Sequence, residues 1–124
     1  MQMIETDRAP KAIGPYSQAV KYESLIFISG QIAIDPENQE FIGGDIISQT
    51  ERVMENIKGI LEEIGLSFEH IIKTTIYLRN INDFDKVNQV YGRYFKEHKP
   101  ARATVEVNNL PKGALIEIEA IAGI

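Results

Sequence analysis

The sequence predicts an α+β domain in which two helices cover one face of a β-sheet. Its 124 residues are an ordinary length for a single domain, here 1–124. Short runs rich in β-branched residues alternate with two segments of helical periodicity, and no repeat or linker divides them. The predicted element order is β-β-α-β-α-β-β, and two helices can cover only one face of such a sheet.

The first two strands are predicted near the N-terminus, on either side of a short turn. Gly14 and Pro15 indicate an extended entry, because proline fixes its own φ and moves its predecessor out of the helical region. The segment Ser17–Tyr22 fits one strand, and the apolar run Leu25–Ile28 fits the next. A loop rich in turn-forming residues then leads to the first helix.

Helical periodicity begins at Asp45, a residue type suited to cap a helix N-terminus, and Gly65 fits the stop of this helix. The β-branched segment 71–78 predicts a third strand. A second helix is predicted to begin with Asn82 as its cap and to end at Pro100. Basic residues that suit the helix dipole stand at this predicted end, namely Lys96, His98 and Lys99.

The fourth strand follows Pro100. Because successive side chains of a strand point to opposite faces, the sequence predicts which residues share each face. The alternate apolar residues from Ala103 to Val107 are predicted to pack on the helices. The polar residues Arg102, Thr104 and Glu106 are then predicted to share the opposite, helix-free face.

The last strand shows the same alternation more regularly. Its isoleucines and alanines at 116, 118, 120 and 122 are predicted to face the helices, which leaves Glu117, Glu119 and Ile121 on the open face. A face that mixes charged and apolar side chains often meets another subunit or a ligand.

Composition excludes several function classes. The net charge of -5 disfavours nucleic-acid binding, because affinity for a phosphate backbone comes mainly from Lys and Arg. The absence of cysteine excludes disulfides, thiolate nucleophiles and cysteine metal sites. No motif for metal binding, a hydrolase triad or nucleotide binding is present. Without a signal peptide or a membrane span of about 20 apolar residues, the expected location is cytoplasmic.

Arg102 and Glu117 are the first candidates for chemistry, and each allows two interpretations. Arg102 either pairs with Glu106 or Glu117 at the surface or binds a substrate carboxylate through its planar fork. Glu117 either lies at an exposed rim or orients and deprotonates a water molecule beside an arginine.

Further candidates are polar residues or glycines in otherwise apolar surroundings. Asn88 interrupts the apolar stripe of the second predicted helix, either as a satisfied core or interface amide or as part of a pocket. Tyr16 and Ser29 flank the first two strands and fit either ordinary packing or a pocket wall. Gly30 would allow a ligand to approach the backbone.

Five long segments resemble the reactive intermediate deaminase family (Rid, or YjgF), and its RidA subgroup in particular. They are AIGPYSQAV, ISGQIAID, KTTIYLRNINDFDKVNQVY, PARATVEVNNLPKG and IEIEAIA. They follow one another in family-like order and spacing through nearly the whole chain. The resemblance implies a chorismate-mutase-like fold and a homotrimer with sites in the clefts between subunits.

The resemblance also implies an activity and a set of site residues. RidA proteins are 2-iminobutanoate/2-iminopropanoate deaminases. Without a cofactor, they hydrolyse enamine and imine intermediates released by pyridoxal-phosphate dehydratases, such as 2-aminoacrylate and 2-aminocrotonate, to 2-keto acids and ammonia. The carboxylate-binding arginine of the family falls on Arg102, and the glutamate that holds the water falls on Glu117. Its pocket-lining residues fall on Tyr16, Ser29, Gly30 and Asn88.

This chain departs from the family pattern at two points. Thr104 replaces a cysteine found in many relatives, which predicts a change in pocket shape or selectivity but not in the hydrolysis. The segment before Arg102, KPA, lacks a phenylalanine and a few loop residues common there. Two alternative functions remain from the sequence: an endoribonuclease or translation inhibitor, and a regulatory protein that binds keto acids without turnover.

Overall fold

The computed structural model describes residues 1–124. It shows a six-stranded sheet with two helices on one face. The strands are β1 (Gln2–Ile4), β2 (Ala19–Tyr22), β3 (Leu25–Gln31), β4 (Ile34–Asp35), β5 (Glu40–Phe41), β6 (Ile71–Leu78), β7 (Ala101–Glu106) and β8 (Ile116–Gly123). The helices are α1 (Ile46–Glu63) and α2 (Phe84–Gly92). Three short 3₁₀ turns lie at Phe68–His70, Ile81–Asp83 and Pro111–Gly113.

The large sheet has the strand order β1-β2-β3-β8-β6-β7, and β4 pairs with β5 in a separate hairpin. Only the β6–β7 pair is parallel, and α2 lies in the connection between these two strands. The predicted α+β fold class is therefore confirmed. Neither helix is long and apolar enough to cross a membrane.

Helix α1 follows its sequence signals closely. The Asp45 carboxylate accepts a hydrogen bond from the backbone N–H of Ser48 at 2.8 Å, which satisfies one of the free amide groups of the first turn. Gly65 has a φ of 72°, so the chain leaves the helix through the left-handed conformation that glycine adopts without strain. The fully buried Val53, Ile57 and Ile60 pack this helix onto the sheet.

The predicted second helix is too long at both ends. Asn82 is not its cap but lies in a 3₁₀ turn, where Asn80 Oδ1 accepts its backbone N–H at 2.9 Å. Helix α2 ends at Gly92, where helical conformation is costly, and not at Pro100.

The basic residues after α2 therefore do not interact with the end of its dipole. Phe95 is buried in the core, where its ring packs against Tyr91 and Phe68 at centroid distances of 4.8 and 5.5 Å. His98 Nε2 lies 2.6 Å from the backbone oxygen of Ile71 and so connects this irregular segment to β6. The continuous helical pattern that the sequence suggested therefore breaks off at Gly92, although Phe95 still packs in the core.

The predicted faces of β7 are inverted. In the parallel register, Arg102 is paired with Thr74 and Thr104 with Ile76, and both of these β6 residues are buried under the helices. Arg102 and Thr104 therefore face the helix layer, and Val105 faces the open side. The apolar residues of β7, an edge strand, did not indicate which side faces the helices. Pairing with β6 fixes the register of β7, and this register decides the face of each side chain.

Strand β1 was not predicted. It pairs with β2 at the edge of the sheet, but only Ile4 of its three residues is buried. A segment this short and exposed has no alternation that could distinguish it from a loop.

Candidate active site

One group of predicted residues surrounds a cavity of about 640 Å³ beside β3 and β8. The group consists of Tyr16, Ser29, Gly30 and Glu117, and we call it the glutamate half-site. These four residues therefore lie around one cavity of the folded chain.

Gly30 is required by its contact with Glu117. A β-bulge lies between Ile28 and Gln31 of β3, so that Ser29 and Gly30 interrupt the regular pairing with β8. An ideal Cβ added to Gly30 would lie 2.0 Å from Glu117 Oε2 and 2.9 Å from its Cδ. Only a residue without a side chain allows the carboxylate to rest against the backbone at this point.

The environment of Glu117 makes its carboxylate a stronger base than an ordinary one. Its half-buried position raises the pKa of Glu117, and the negative charge of Glu119 raises this pKa further. Glu119 lines the same cavity from the same face of β8. No cation offsets this effect through an ion pair, since the only one in the chain joins Arg93 to Glu51.

Ser29 and Tyr16 form the polar rim of this cavity. The Ser29 hydroxyl donates to the backbone oxygen of Ser17 at 2.6 Å, which fixes its rotamer and leaves its oxygen free to accept a hydrogen bond. The Tyr16 ring is half exposed, and its hydroxyl oxygen accepts the backbone N–H of Ile13 at 3.3 Å. Tyr16 therefore offers an exposed aromatic surface beside the carboxylate.

A second group surrounds Arg102 on the other face of the sheet. Arg102 Nη1 donates to Asn88 Oδ1 at 2.8 Å, and the guanidinium carbon lies 5.3 Å from the ring centre of Phe84 and 5.1 Å from that of Tyr91. We call these four residues the arginine half-site. The amide that interrupts the apolar stripe of α2 is thus the residue that orients Arg102.

Most of the guanidinium remains available to a ligand. Glu106 is not its partner, because Glu106 Oε1 accepts the backbone N–H of Ile81 at 2.9 Å. Arg102 forms no ion pair, and its one hydrogen bond in the chain, to Asn88, uses one of five N–H donors. A planar cation that is held by an amide and two rings, with its other donors free, suits a carboxylate.

The interpretation of Arg102 as part of a surface ion pair is therefore wrong.

A cavity of about 280 Å³ adjoins the guanidinium and is lined by Asn88, Tyr91, Gly92, Phe95, Lys99, Pro100 and Arg102.

Thr104 lies on the same strand face as Arg102 but does not line this cavity. Its hydroxyl oxygen is buried and has no hydrogen-bond partner. Burial of an unpaired hydroxyl costs free energy, typically about 1–3 kcal/mol.

The isosteric variant Thr104→Val should therefore leave the free energy of unfolding unchanged or raise it by about 1 kcal/mol. Urea denaturation of both proteins measures this change. A loss of more than about 1 kcal/mol would show that the hydroxyl has a partner that stabilises the fold, such as an ordered water molecule.

The two half-sites do not meet within one chain. Glu117 is paired with Tyr77 and lies on the open face of the sheet, whereas Arg102 lies on the helix-covered face. The prediction that Arg102 and Glu117 lie on the same face of the sheet is wrong, and one chain holds the two half-sites on opposite faces.

Several lining residues had no role in the sequence analysis. Phe84 and Tyr91 flank Asn88 at helical spacing, and this spacing was the signal that could have identified them. Lys112 lines the same cavity as Glu117 from the 3₁₀ turn that precedes β8, and its residue type and position gave no signal of this role. The chain has no cluster of three or more acidic or histidine side chains that could hold a metal ion.

The fold and the two half-sites, with a half-buried glutamate in one and an arginine held by an amide in the other, can now be compared with known families. Residues 6–124 match the family model described as Endoribonuclease L-PSP. The chain belongs to this family, which is also known as Rid or YjgF, and the resemblance found in its motifs is confirmed.

Similar proteins cover nearly the whole chain. A RutC family protein of Pyrococcus abyssi is 59% identical over 98% of this chain and 95% of its own length. The human 2-iminobutanoate/2-iminopropanoate deaminase is 46% identical over 98% of this chain and 88% of its own. The crystal structure of Escherichia coli TdcF with bound serine superposes with a TM-score of 0.94 at 45% identity, over 100% of this chain and 99% of that one.

Proposed function

We propose that this protein is a 2-iminobutanoate/2-iminopropanoate deaminase that acts as a homotrimer, with each site shared by two subunits. The observation that carries the proposal is the pair of complementary half-sites on opposite faces of the sheet. Arg102 offers a free cationic fork, and Glu117 offers a carboxylate whose pKa is raised by burial. The arginine half-site supplies a cation for the substrate carboxylate, and the glutamate half-site supplies a base for water.

The exposed surface favours such an assembly. The open face of the sheet carries Phe27 and Val105, which are 43% and 42% exposed, beside the half-buried Ile121. Apolar side chains on a sheet face that no helix covers are typical of a subunit interface. A head-to-tail contact joins two different surfaces of identical chains, and such contacts form a closed ring when each rotates the next subunit by a whole fraction of a turn, which is a third of a turn for a trimer.

In this proposal, the substrate is fixed by its carboxylate. Arg102 of one subunit binds the carboxylate of a small 2-imino acid through two parallel N–H···O hydrogen bonds. Asn88 and the two aromatic rings keep the guanidinium in the required plane. The C=N carbon then lies near a water molecule held by Glu117 of the neighbouring subunit, and the reaction gains from this fixed orientation.

The chemistry requires one acid–base residue. A 2-aminoacrylate enamine first takes a proton from solvent at its methylene carbon and becomes the iminium ion. Water then adds to the C=N carbon while Glu117 accepts one of its protons. The protonated Glu117 next donates that proton to the nitrogen of the carbinolamine. The C–N bond breaks and ammonia leaves, while the remaining hydroxyl releases its proton to solvent and becomes the carbonyl of the 2-keto acid.

The similar proteins support this assignment over the alternatives. The human relative is named as a 2-iminobutanoate/2-iminopropanoate deaminase, and the TdcF crystal holds serine, a small amino acid with a free carboxylate. Although the family is described as an endoribonuclease, the net charge of -5 disfavours an RNA substrate. A sensor without turnover would use Arg102 but would have no need for a basic Glu117.

Mixing two inactive variants tests the shared site directly. Trimers that contain both Arg102→Ala and Glu117→Gln subunits should regain activity, because an intact Arg102 can then face an intact Glu117. Random equal mixing should restore about a quarter of the sites of a head-to-tail ring. The measurement is the rate of 2-keto acid formation from the imine that a threonine dehydratase releases, after co-expression of the two chains.

Light scattering on every sample serves as the control for assembly. If each site lay within one subunit, mixed trimers would never exceed the average of the two single variants. A monomer at micromolar concentration would contradict the proposed assembly as well.

A further inference from the structure

The cavity beside Arg102 has an unusual charge for this chain. Two of its lining residues, Arg102 and Lys99, are cationic, and none is acidic. The chain as a whole has a net charge of -5, with 18 acidic and 13 basic side chains. Because its lining carries two positive charges and no negative one, this cavity favours binding of an anion with more than one negative charge.

Lys99 is held at the rim of this cavity without an acidic partner. Its ammonium donates to the backbone oxygens of Phe95, at 3.3 Å, and of Lys96. It takes part in no ion pair, because the only one in the chain joins Arg93 and Glu51. Backbone carbonyls orient the ammonium but do not neutralise its charge, so it remains available to a ligand.

The early end of α2 creates this position. The helix ends at Gly92, and the irregular segment that follows, in which Phe95 is buried, brings Lys99 to the cavity beside Arg102. An ideal Cβ at Gly92 has no atom within 4 Å, so this side of the cavity is open. Lys99 and Arg102 are three residues apart, a distance of at most about 10 Å between Cα atoms, which both long side chains can shorten.

We propose that Lys99 is a specificity-determining residue that binds a second carboxylate, so that the substrates include 2-imino acids derived from dicarboxylic amino acids. This inference rests on the proposed function, since Arg102 must bind the carboxylate next to the C=N group. Lys99 then binds the distal carboxylate of the same molecule. The reaction is unchanged: the imino dicarboxylate and one water give a 2-keto dicarboxylate and ammonia.

The chemistry of this substrate also indicates its source. An imine of a dicarboxylic amino acid forms when the amine of the amino acid loses two electrons and two protons to an oxidant. The reaction that supplies this protein would therefore belong to the class of amino-acid oxidations, in addition to dehydrations.

Product binding tests the inference without turnover. Calorimetry would compare 2-oxoglutarate, a keto dicarboxylate, with 2-oxobutanoate, a keto monocarboxylate, on the parent protein and on Lys99→Met. The parent should bind 2-oxoglutarate more tightly, and Lys99→Met should reduce this preference by about tenfold, as expected for the loss of a charge-assisted hydrogen bond. The matched control is Lys96→Met, an exposed lysine outside this cavity, which should keep the parental preference.

The outcome separates this inference from the function on which it rests. If the parent binds both keto acids equally, or if Lys99→Met keeps the parental preference, Lys99 does not bind a second carboxylate. Arg102→Ala should weaken both ligands. If it weakens neither, the assignment of Arg102 as the carboxylate site fails, and the proposed function fails with it.

Discussion

The Glu117→Gln variant should lose about a hundred- to ten-thousand-fold in kcat/KM for imine hydrolysis, which is the usual contribution of one general base. Glutamine keeps the shape of the side chain and can still accept a hydrogen bond from water, but it cannot take the proton of that water. The affinity for the 2-keto acid product should change little, because the substitution leaves Arg102, the proposed carboxylate site, intact. The dehydratase-coupled assay and calorimetry measure the two effects separately.

The pH dependence of the parental enzyme gives a second measurement on the same residue. Burial and the negative charge of Glu119 raise the pKa of Glu117 above the ordinary range of a glutamate, so its protonated form, which cannot act as a base, persists to a higher pH. The acidic limb of the kcat/KM profile should therefore lie above the pH expected for an ordinary glutamate. Glu119→Gln removes the repulsion and should move this limb to lower pH.

Two results would contradict the role of Glu117. Parental turnover in Glu117→Gln would mean that another group activates the water. An acidic limb that disappears in Glu119→Gln but remains in Glu117→Gln would mean that Glu119 is the base.

The Arg102→Lys variant should lose about 10- to 100-fold in kcat/KM although the positive charge is retained, as expected when a charge-assisted bond worth about 1.5–3 kcal/mol is weakened. Lysine presents a mobile point charge, whereas the guanidinium is held by Asn88 and lies against the rings of Phe84 and Tyr91. A loosely held carboxylate would move the C=N carbon away from the water on Glu117. The coupled imine assay measures this loss.

Arg93→Lys is the matched control, since Arg93 is an exposed arginine that pairs with Glu51 at 3.2 Å and belongs to neither half-site. It should retain parental activity, because exposed ion pairs contribute little to stability. If Arg102→Lys is as active as this control, Arg102 does not fix the substrate, and the half-site around it has another role.

Only part of the candidate site could be predicted from the residue pattern. The association of Glu117 with Gly30 was implied by the family resemblance, but the close contact between them depends on a bulge in β3 that has no clear sequence signal. Asn88 was noticed because an amide interrupted an apolar stripe. Its partner Arg102 could not be inferred from that pattern, since the pairing depends on the register of β7.

The sequence by itself determined the elements whose signals are local. Asp45 and Gly65 mark the start and the end of α1, and the β-branched run at 71–78 corresponds to β6 over its full length. These features depend on capping, glycine conformation and side-chain branching, which act within a few residues along the chain.

Tertiary structure alone decided the faces of β7 and the separation of the two half-sites. Parallel pairing with β6 turns Arg102 toward the helices. Glu117 stays on the opposite face because antiparallel pairing with β6 fixes β8 independently of β7. These outcomes depend on contacts between residues distant in sequence, whose free energy exceeds the weak preferences of a short segment.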